Sequence, residues 1–349
     1  MATGALDLKT IQKMQKETQF RERIRKIRYS IFLLIAFSFA VFIAIAVLAV
    51  LNEGLSAFVG SILRIDWWYF GAALLAVFAS YAIRFPKWQM YLNKLKVRLN
   101  LKTSFMIYMS MYSMDITPGR WGRAIVSYTI NRLTNVRFAV TFPAVVADIF
   151  TDFLGFAFIT DAMAIIVGKF VLLAFFITSL LMVPFFFVYV QRPFNWVKKK
   201  FIRVRKRFRF LRRLNLIFST ATLYFRHNKK LRGSAFVYSM LLTIPSMFLN
   251  GMALYVVMLA FGVPLTVANI PEVIFIFSFS LVLGMVTGIP GTLGVTDAAL
   301  ISQMQYFFPG VMTFGLASAI TIFFRAASVW FVQGFGFAAF LYTTRYWKG

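Results

Sequence analysis

Apolar and polar positions in this chain separate into long blocks rather than alternating at short range. Apolar blocks run over residues 29–51, 67–83, 138–166, 170–190, 234–262 and 311–343. Each approaches or exceeds the roughly 20 residues a helix needs to cross the hydrocarbon core of a bilayer. In that core a segment satisfies its own backbone N–H and C=O groups only as a helix, and a barrel would show short alternating segments instead. The pattern predicts an all-α, polytopic integral membrane protein with about six full spans. Hydrophobic residues make up 60% of the chain, which is too apolar for a soluble domain.

Two further apolar stretches, 103–130 and 272–305, are interrupted by the same short pattern. Residues 117–122 read T-P-G-R-W-G and residues 289–294 read I-P-G-T-L-G, so both contain P-G-x-x-G. Proline removes a backbone donor and glycine permits a turn. Broken at Pro118-Gly119, the first stretch leaves arms of about 12–15 residues, too short to span. Each pattern is therefore expected to form the tip of a re-entrant hairpin. Pro118, Gly119 and Gly122 form the first tip, and Pro290, Gly291 and Gly294 the second. Alternatively both Pro-Gly pairs kink ordinary spans, which would put basic loops on the wrong side of the membrane.

The net charge of +27 is segregated like the hydropathy. Residues 1–28 carry Lys9, Lys13, Lys16, Arg21, Arg23, Arg25, Lys26 and Arg28, with Leu6, Leu8, Ile11, Met14, Phe20, Ile24 and Ile27 as an apolar side. That composition predicts a basic amphipathic arm lying at the membrane surface. Arg84, Lys87, Lys94, Lys96, Arg98 and Lys102 follow the second block, eleven Lys and Arg without an acid fill 192–213, and Arg345 and Lys348 end the chain. The positive-inside rule makes all four segments cytoplasmic. Both termini are thus expected inside the cell membrane, and 191–233 is read as a basic cytoplasmic linker with an interfacial helix. Such segments attract anionic headgroups, so the charge implies membrane lipids as partners and not nucleic acid. No cleavable leader is expected, since the basic arm is too long and no small-residue cleavage site follows the first block. Residues 29–349 then form one transmembrane domain. With the N-terminus inside, the two hairpins enter from opposite faces, each followed by one span, which is the arrangement of an inverted repeat. Interrupted hydrophobic segments at corresponding places in two halves point to a transporter's binding site.

A lone charge lies about 34 residues after each Pro-Gly pair: Asp152 in the first half, Arg325 in the second. Counted at 1.5 Å per residue, both reach mid-membrane, where an unpaired charge costs several kcal/mol. Asp148 shares a helix face with Asp152. An Asp152–Arg325 interaction, direct or through a substrate, is expected, and a static ion pair locking the helices is the alternative. Arg120 and Arg123 follow the first tip, where exposed N–H groups and the positive end of a helix suit a phosphate. They alternatively reach back to the cytoplasmic surface. Asp115 precedes that tip. Thr292, Thr296 and Asp297 at the second tip are candidates for a polar headgroup or a cation. The chain has no cysteine and one histidine, His227, so disulfides, thiol chemistry and a Cys/His metal site are not expected. No P-loop pattern is present, so ATP hydrolysis is not expected.

These motifs resemble the transmembrane, flippase-like region of the lysylphosphatidylglycerol synthase family. Its hairpin signature, roughly P-x-R-x-G-E, is matched by Pro118-Gly119-Arg120-Trp121-Gly122-Arg123. Its E-R-x-x-D is matched by Asp148-Ile149-Phe150-Thr151-Asp152, and its P-G-G-L-G-x-x-E by Pro290-Gly291-Thr292-Leu293-Gly294-Val295-Thr296-Asp297. Arg325 stands where the family has an arginine in the last helix. Two positions depart: the glutamate of the first signature is Arg123, and the arginine of the second is Ile149. The resemblance implies translocation of a phospholipid or a polyprenyl-phosphate-linked headgroup between leaflets. It also implies a dimer, no cofactor and no catalytic residue, because no lysyltransferase domain accompanies the membrane region. Three other readings fit the same residues. They are an intramembrane enzyme acting on a lipid phosphate through Mg²⁺ held by the aspartate pair, a small-solute transporter, and a scaffold that moves nothing.

Overall fold

The computed structural model describes residues 36–189, 231 and 233–345. The amphipathic arm at 1–28, the interfacial helix in the 191–233 linker, His227 and Lys348 lie outside them. Every regular element among the described residues is helical. Among the described residues six helices are long and apolar enough to cross a membrane, and the protein is an all-α, multi-pass membrane protein.

The first described elements are α1 (Ala36–Glu53), a short α2 (Leu55–Leu63) and α3 (Trp67–Lys94). Asp66 starts α3 by accepting the Trp68 N–H at 2.9 Å. Next come α4 (Leu101–Tyr112), a 3₁₀ segment (Pro118–Ala124) and α5 (Ile125–Thr134). The spans α6 (Phe138–Val167), α7 (Val171–Tyr189) and α8 (Ser234–Ala260) follow. The second interrupted stretch is α9 (Ile270–Thr287), a short 3₁₀ turn (Pro290–Thr292) and α10 (Val295–Phe307). The chain ends in α11 (Phe314–Arg325), a π segment (Ala326–Trp330) and α12 (Phe331–Thr344), which together make one long apolar helix.

Two expected boundaries move. First, α3 does not stop at residue 83 but continues through Pro86 to Lys94. Arg84 and Lys87, expected in a cytoplasmic loop, are instead 2% and 0% exposed. Second, α9 with the 3₁₀ turn before it, Val267–Thr287, is by itself long enough to cross. At 1.5 Å per residue α9 measures about 27 Å, while α4, α5 and α10 measure only about 18, 15 and 20 Å. The two interrupted stretches therefore differ: both arms of the first are short, but only the second arm of the second is.

Packing brings the two interrupted stretches together at the centre. α3 lies along α8, α9 packs on α6 and α10, and α12 lies against α4. The 3₁₀ segment after Pro118 touches the one after Pro290. Gly336 in α12 lets two backbones meet, since a Cβ there would sit 2.7 Å from the Met109 carbonyl oxygen and 2.8 Å from the Ser113 nitrogen. The first turn is held from within: the Thr117 hydroxyl donates to the Met114 carbonyl and accepts the Gly122 N–H, each at 2.8 Å. A side chain at Gly122 would collide with Thr117. Gly294 serves a different need, a backbone φ of 79° at the entry to α10, where its N–H donates to Asp297 at 2.9 Å. The two tips thus share a sequence pattern but use its last glycine differently.

Candidate functional site

Arg84 and Lys87 stand on the face of α3 that also carries Ser80 and Tyr91, all buried against the bundle. Opposite them, α6 presents Asp148 and Asp152 one turn apart, both 0% exposed. Between these helices the first turn inserts Asp115, Arg120 and Arg123. A net of ion pairs results. Lys87 Nζ lies 2.8 Å from Asp148 and 3.0 Å from Asp152. It also donates to the hydroxyls of Thr151 at 3.1 Å and Thr243 at 3.3 Å. Arg84 reaches Asp152 at 3.2 Å, and Arg123 reaches Asp148 at 2.8 Å and Asp152 at 3.0 Å. The other guanidinium edge of Arg123 binds both oxygens of Asp115. Such a fork-on-carboxylate pair is the strong form of charged hydrogen bond.

Aromatic rings complete the packing. Arg84 lies 4.4 Å from the centre of the Tyr81 ring, and Arg123 lies 4.6 Å from that of Tyr112. The Tyr112 hydroxyl donates to Tyr108 at 2.7 Å, and Tyr108 donates to the Tyr81 carbonyl at 3.0 Å. This chain of hydroxyls fixes the ring on which Arg123 rests. The cation–ring contacts contribute about 0.5–2 kcal/mol each, more where water is excluded.

Arg120 is the exception in this net. Its nearest carboxylate oxygens are 3.5 Å away on Asp152 and 3.8 Å away on Asp115, beyond hydrogen-bond range for an aligned pair. Its side chain is 17% exposed where Arg123 is fully buried. Its backbone is left-handed, with φ 59°. Thr292, the equivalent residue of the second tip, has φ 57°. A β-branched residue there is an outlier, and such strain persists only where the surroundings over-determine it.

The second half builds a smaller site. Arg325, at the end of α11, lies 2.8 Å from Asp297 of α10 and donates to the Gly291 carbonyl at 3.2 Å. The last helix is thereby tied to the second tip. The π segment follows at once, and a π turn shifts the residues after it around the helix axis. Ser328, Val329, Val332 and Gln333 consequently face the same space as Arg325.

That space is a chamber of about 100 Å³ between the two tips. Arg84, Arg120, Arg123 and Arg325 line it, with Asp115, Thr117, Thr292, Asn250 and Gln333 among the polar neighbours. Tyr81, Tyr112, Phe153, Phe156, Phe277 and Phe324 supply its aromatic wall. It is too small for a lipid with its chains.

The candidate residues from the sequence divide into two groups. Arg120, Arg123, Thr292 and Arg325 line the chamber, as does Gly291. Asp148, Asp152, Thr296 and Asp297 are buried behind it, at 0–1% exposure. The expected Asp152–Arg325 contact is replaced by separate partners: Asp152 is surrounded by Arg84, Lys87, Arg120 and Arg123, while Arg325 takes Asp297. Arg123 does not reach to the cytoplasmic surface either; it is buried with three carboxylates. Sequence reasoning missed Arg84, Lys87, Tyr81, Tyr112, Asn250 and Gln333. The polar spacing Ser80, Arg84, Lys87, Tyr91 follows one helical face, and that was the available signal.

Residues 33–336 match the family described as Lysylphosphatidylglycerol synthase TM region. The chain belongs to this family. The match covers both interrupted stretches, the net of ion pairs and the last helix up to Gly336. A comparison with curated proteins gives no match. In the lysylphosphatidylglycerol synthase transmembrane family, the departures Arg123 and Ile149 now have a physical reading for this chain. Ile149 is buried in the apolar core, so no cation comes from that turn of α6. The carboxylates of α6 are met by Arg84 and Lys87 of α3 and by Arg123 of the turn.

Proposed function

We propose that this protein moves a phospholipid or a polyprenyl-phosphate-linked lipid between leaflets, holding the headgroup in the chamber while the chains stay in the bilayer. The observation that carries this reading is Arg120. It is the cation of the net that no carboxylate binds closely, and it lines the chamber, as Arg325 does. A charged headgroup meets a barrier of several kcal/mol in hydrocarbon. Replacing its hydration with fixed guanidinium groups lowers that barrier. Membership of a membrane family named for a lipid synthase supports a lipid-related role. The interrupted stretches are read as re-entrant hairpins of an inverted repeat, and rocking of one half against the other opens the chamber to each leaflet in turn. We place the protein in the cell membrane with both termini cytoplasmic, in keeping with the positive-inside rule.

No catalytic role is assigned. An enzyme using Mg²⁺ on the aspartate pair would need free carboxylate oxygens, and those of Asp148 and Asp152 face Lys87, Arg84 and Arg123. Reconstituted vesicles carrying a fluorescent phospholipid in both leaflets test the reading, with dithionite bleaching the outer leaflet. Wild-type protein is expected to expose the inner pool, and Arg120→Gln to slow this roughly tenfold or more, the worth of one charged hydrogen bond. Wild-type rates equal to those of protein-free vesicles would sink it.

A further inference from the structure

Among the described residues, the buried charges around the chamber do not cancel. Arg84, Lys87, Arg120, Arg123 and Arg325 are five cations, and Asp115, Asp148, Asp152 and Asp297 are the four carboxylates paired with them. One positive charge is left over. It sits on Arg120, because the other four cations each have a carboxylate oxygen within 3.2 Å. The carboxylates are placed the opposite way. Asp148, Asp152 and Asp297 are fully buried behind the cations, and Asp115, the one carboxylate lining the chamber, is gripped on both oxygens by Arg123. The uncharged polar side chains of the lining are Tyr81, Tyr112, Thr117, Asn250, Thr292, Ser328 and Gln333.

From this arrangement we infer that the chamber selects its lipid by charge: the headgroup is a monoanion, a phosphodiester bearing an uncharged polyol or sugar, and not an aminoacylated or otherwise amine-bearing one. A phosphodiester supplies the single negative charge that neutralises the buried surplus. Its hydroxyls meet the side chains of Thr292, Ser328 and Gln333, which can both donate and accept. An ammonium group finds no free carboxylate and adds to a positive charge already held in a poorly hydrated space, where like charges repel strongly. Exclusion by an unpaired like charge discriminates as sharply as attraction does. The inference rests on the chamber being the headgroup site, as proposed above.

Binding and movement are measured separately. Purified protein in detergent is titrated with short-chain phosphatidylglycerol, phosphatidylethanolamine and lysyl-phosphatidylglycerol, headgroups of net charge −1, 0 and +1, and bound lipid is read by native mass spectrometry. Wild type is expected to prefer the −1 lipid over the +1 lipid by at least about tenfold. Arg120→Gln removes the surplus and should bring the ratio close to unity. Arg120→Glu should invert it. Both variants alter a partly exposed side chain, and matching melting temperatures confirm that they fold. Equal binding of the three lipids by wild type, or preference for the +1 lipid, overturns the charge rule. So does a −1 preference that survives Arg120→Glu. Charge-selective binding without movement in vesicles would remove the transport reading and leave the charge rule standing; movement of all three lipids at one rate would do the reverse.

Discussion

Asp152 is the residue on which the first half depends for its charge balance. Four cations lie within 3.5 Å of its two oxygens, and none of them reaches bulk water except through Arg120. Asp152→Asn keeps the shape but leaves those cations to repel one another. Breaking a buried ion pair by removing one partner costs about 3–5 kcal/mol, because the other charge stays buried. Asp152→Asn is thus expected to lower the melting temperature in detergent markedly, and a further Lys87→Met should restore much of the loss by removing one of the stranded charges. Arg120→Gln, at a loosely paired and partly exposed site, should change stability by no more than about 1 kcal/mol. If Asp152→Asn melts like wild type, the net does not hold the fold. The charges of this net were only half legible in the sequence. Asp148, Asp152 and Arg325 stand out because each interrupts a long apolar run. Arg84 and Lys87 do not, because they follow an apolar block directly and are succeeded by Lys94, Lys96 and Arg98. The positive-inside rule then reads all of them as one loop. A charge is told from a snorkelling or solvated one by what faces it, and the partners lie more than 60 residues away.

Among the elements, the last helix links the two halves. Its first part carries Arg325 to the second tip, and its second part lies on α4 of the first. Gly336 sets the closeness of that second contact, since its Cβ position is filled by the backbone of Met109 and Ser113. Backbone cannot turn aside as a side chain can. Gly336→Leu is therefore expected to push α12 from α4 and to cost at least about 1–3 kcal/mol, the usual penalty of overpacking. A lower melting temperature together with slowed lipid movement would show that the spacing matters for both; unchanged values of the two would show that α12 and α4 slide freely. The helix count was legible from block lengths, and so were the two interruptions. The unequal arms of the second stretch were not. Val267–Thr287 reads as half of a symmetric hairpin only when the break at Pro290 is given the same weight as the break at Pro118. Its length, which the apolar run at 270–287 fixes, is the better guide to what it crosses.

At the scale of the whole molecule, the question is which faces the ends of the interrupted stretches share. In each stretch the second arm, α5 or α10, is too short to cross about 30 Å of hydrocarbon. The following helix, α6 or the α11–α12 unit, has 30 or 31 residues and is ample to cross alone. A re-entrant first stretch returns the chain at Asn135 to the face it left near Asn100. A re-entrant second stretch does the same between Thr266 and Phe308, on the opposite face. The absence of cysteine makes this directly measurable. Single cysteines at Asn100, Asn135, Thr266 and Phe308 are labelled with an impermeant maleimide, in intact cells and in inverted vesicles. Asn100 and Asn135 should react together from the cytoplasmic side, and Thr266 and Phe308 together from the other. Should the two members of a pair react from opposite sides, that stretch crosses the membrane. The pseudo-symmetry then fails, and with it the picture of two halves rocking about a shared chamber. The second stretch is the more exposed to this outcome, because α9 with its preceding turn already has the length of a full span.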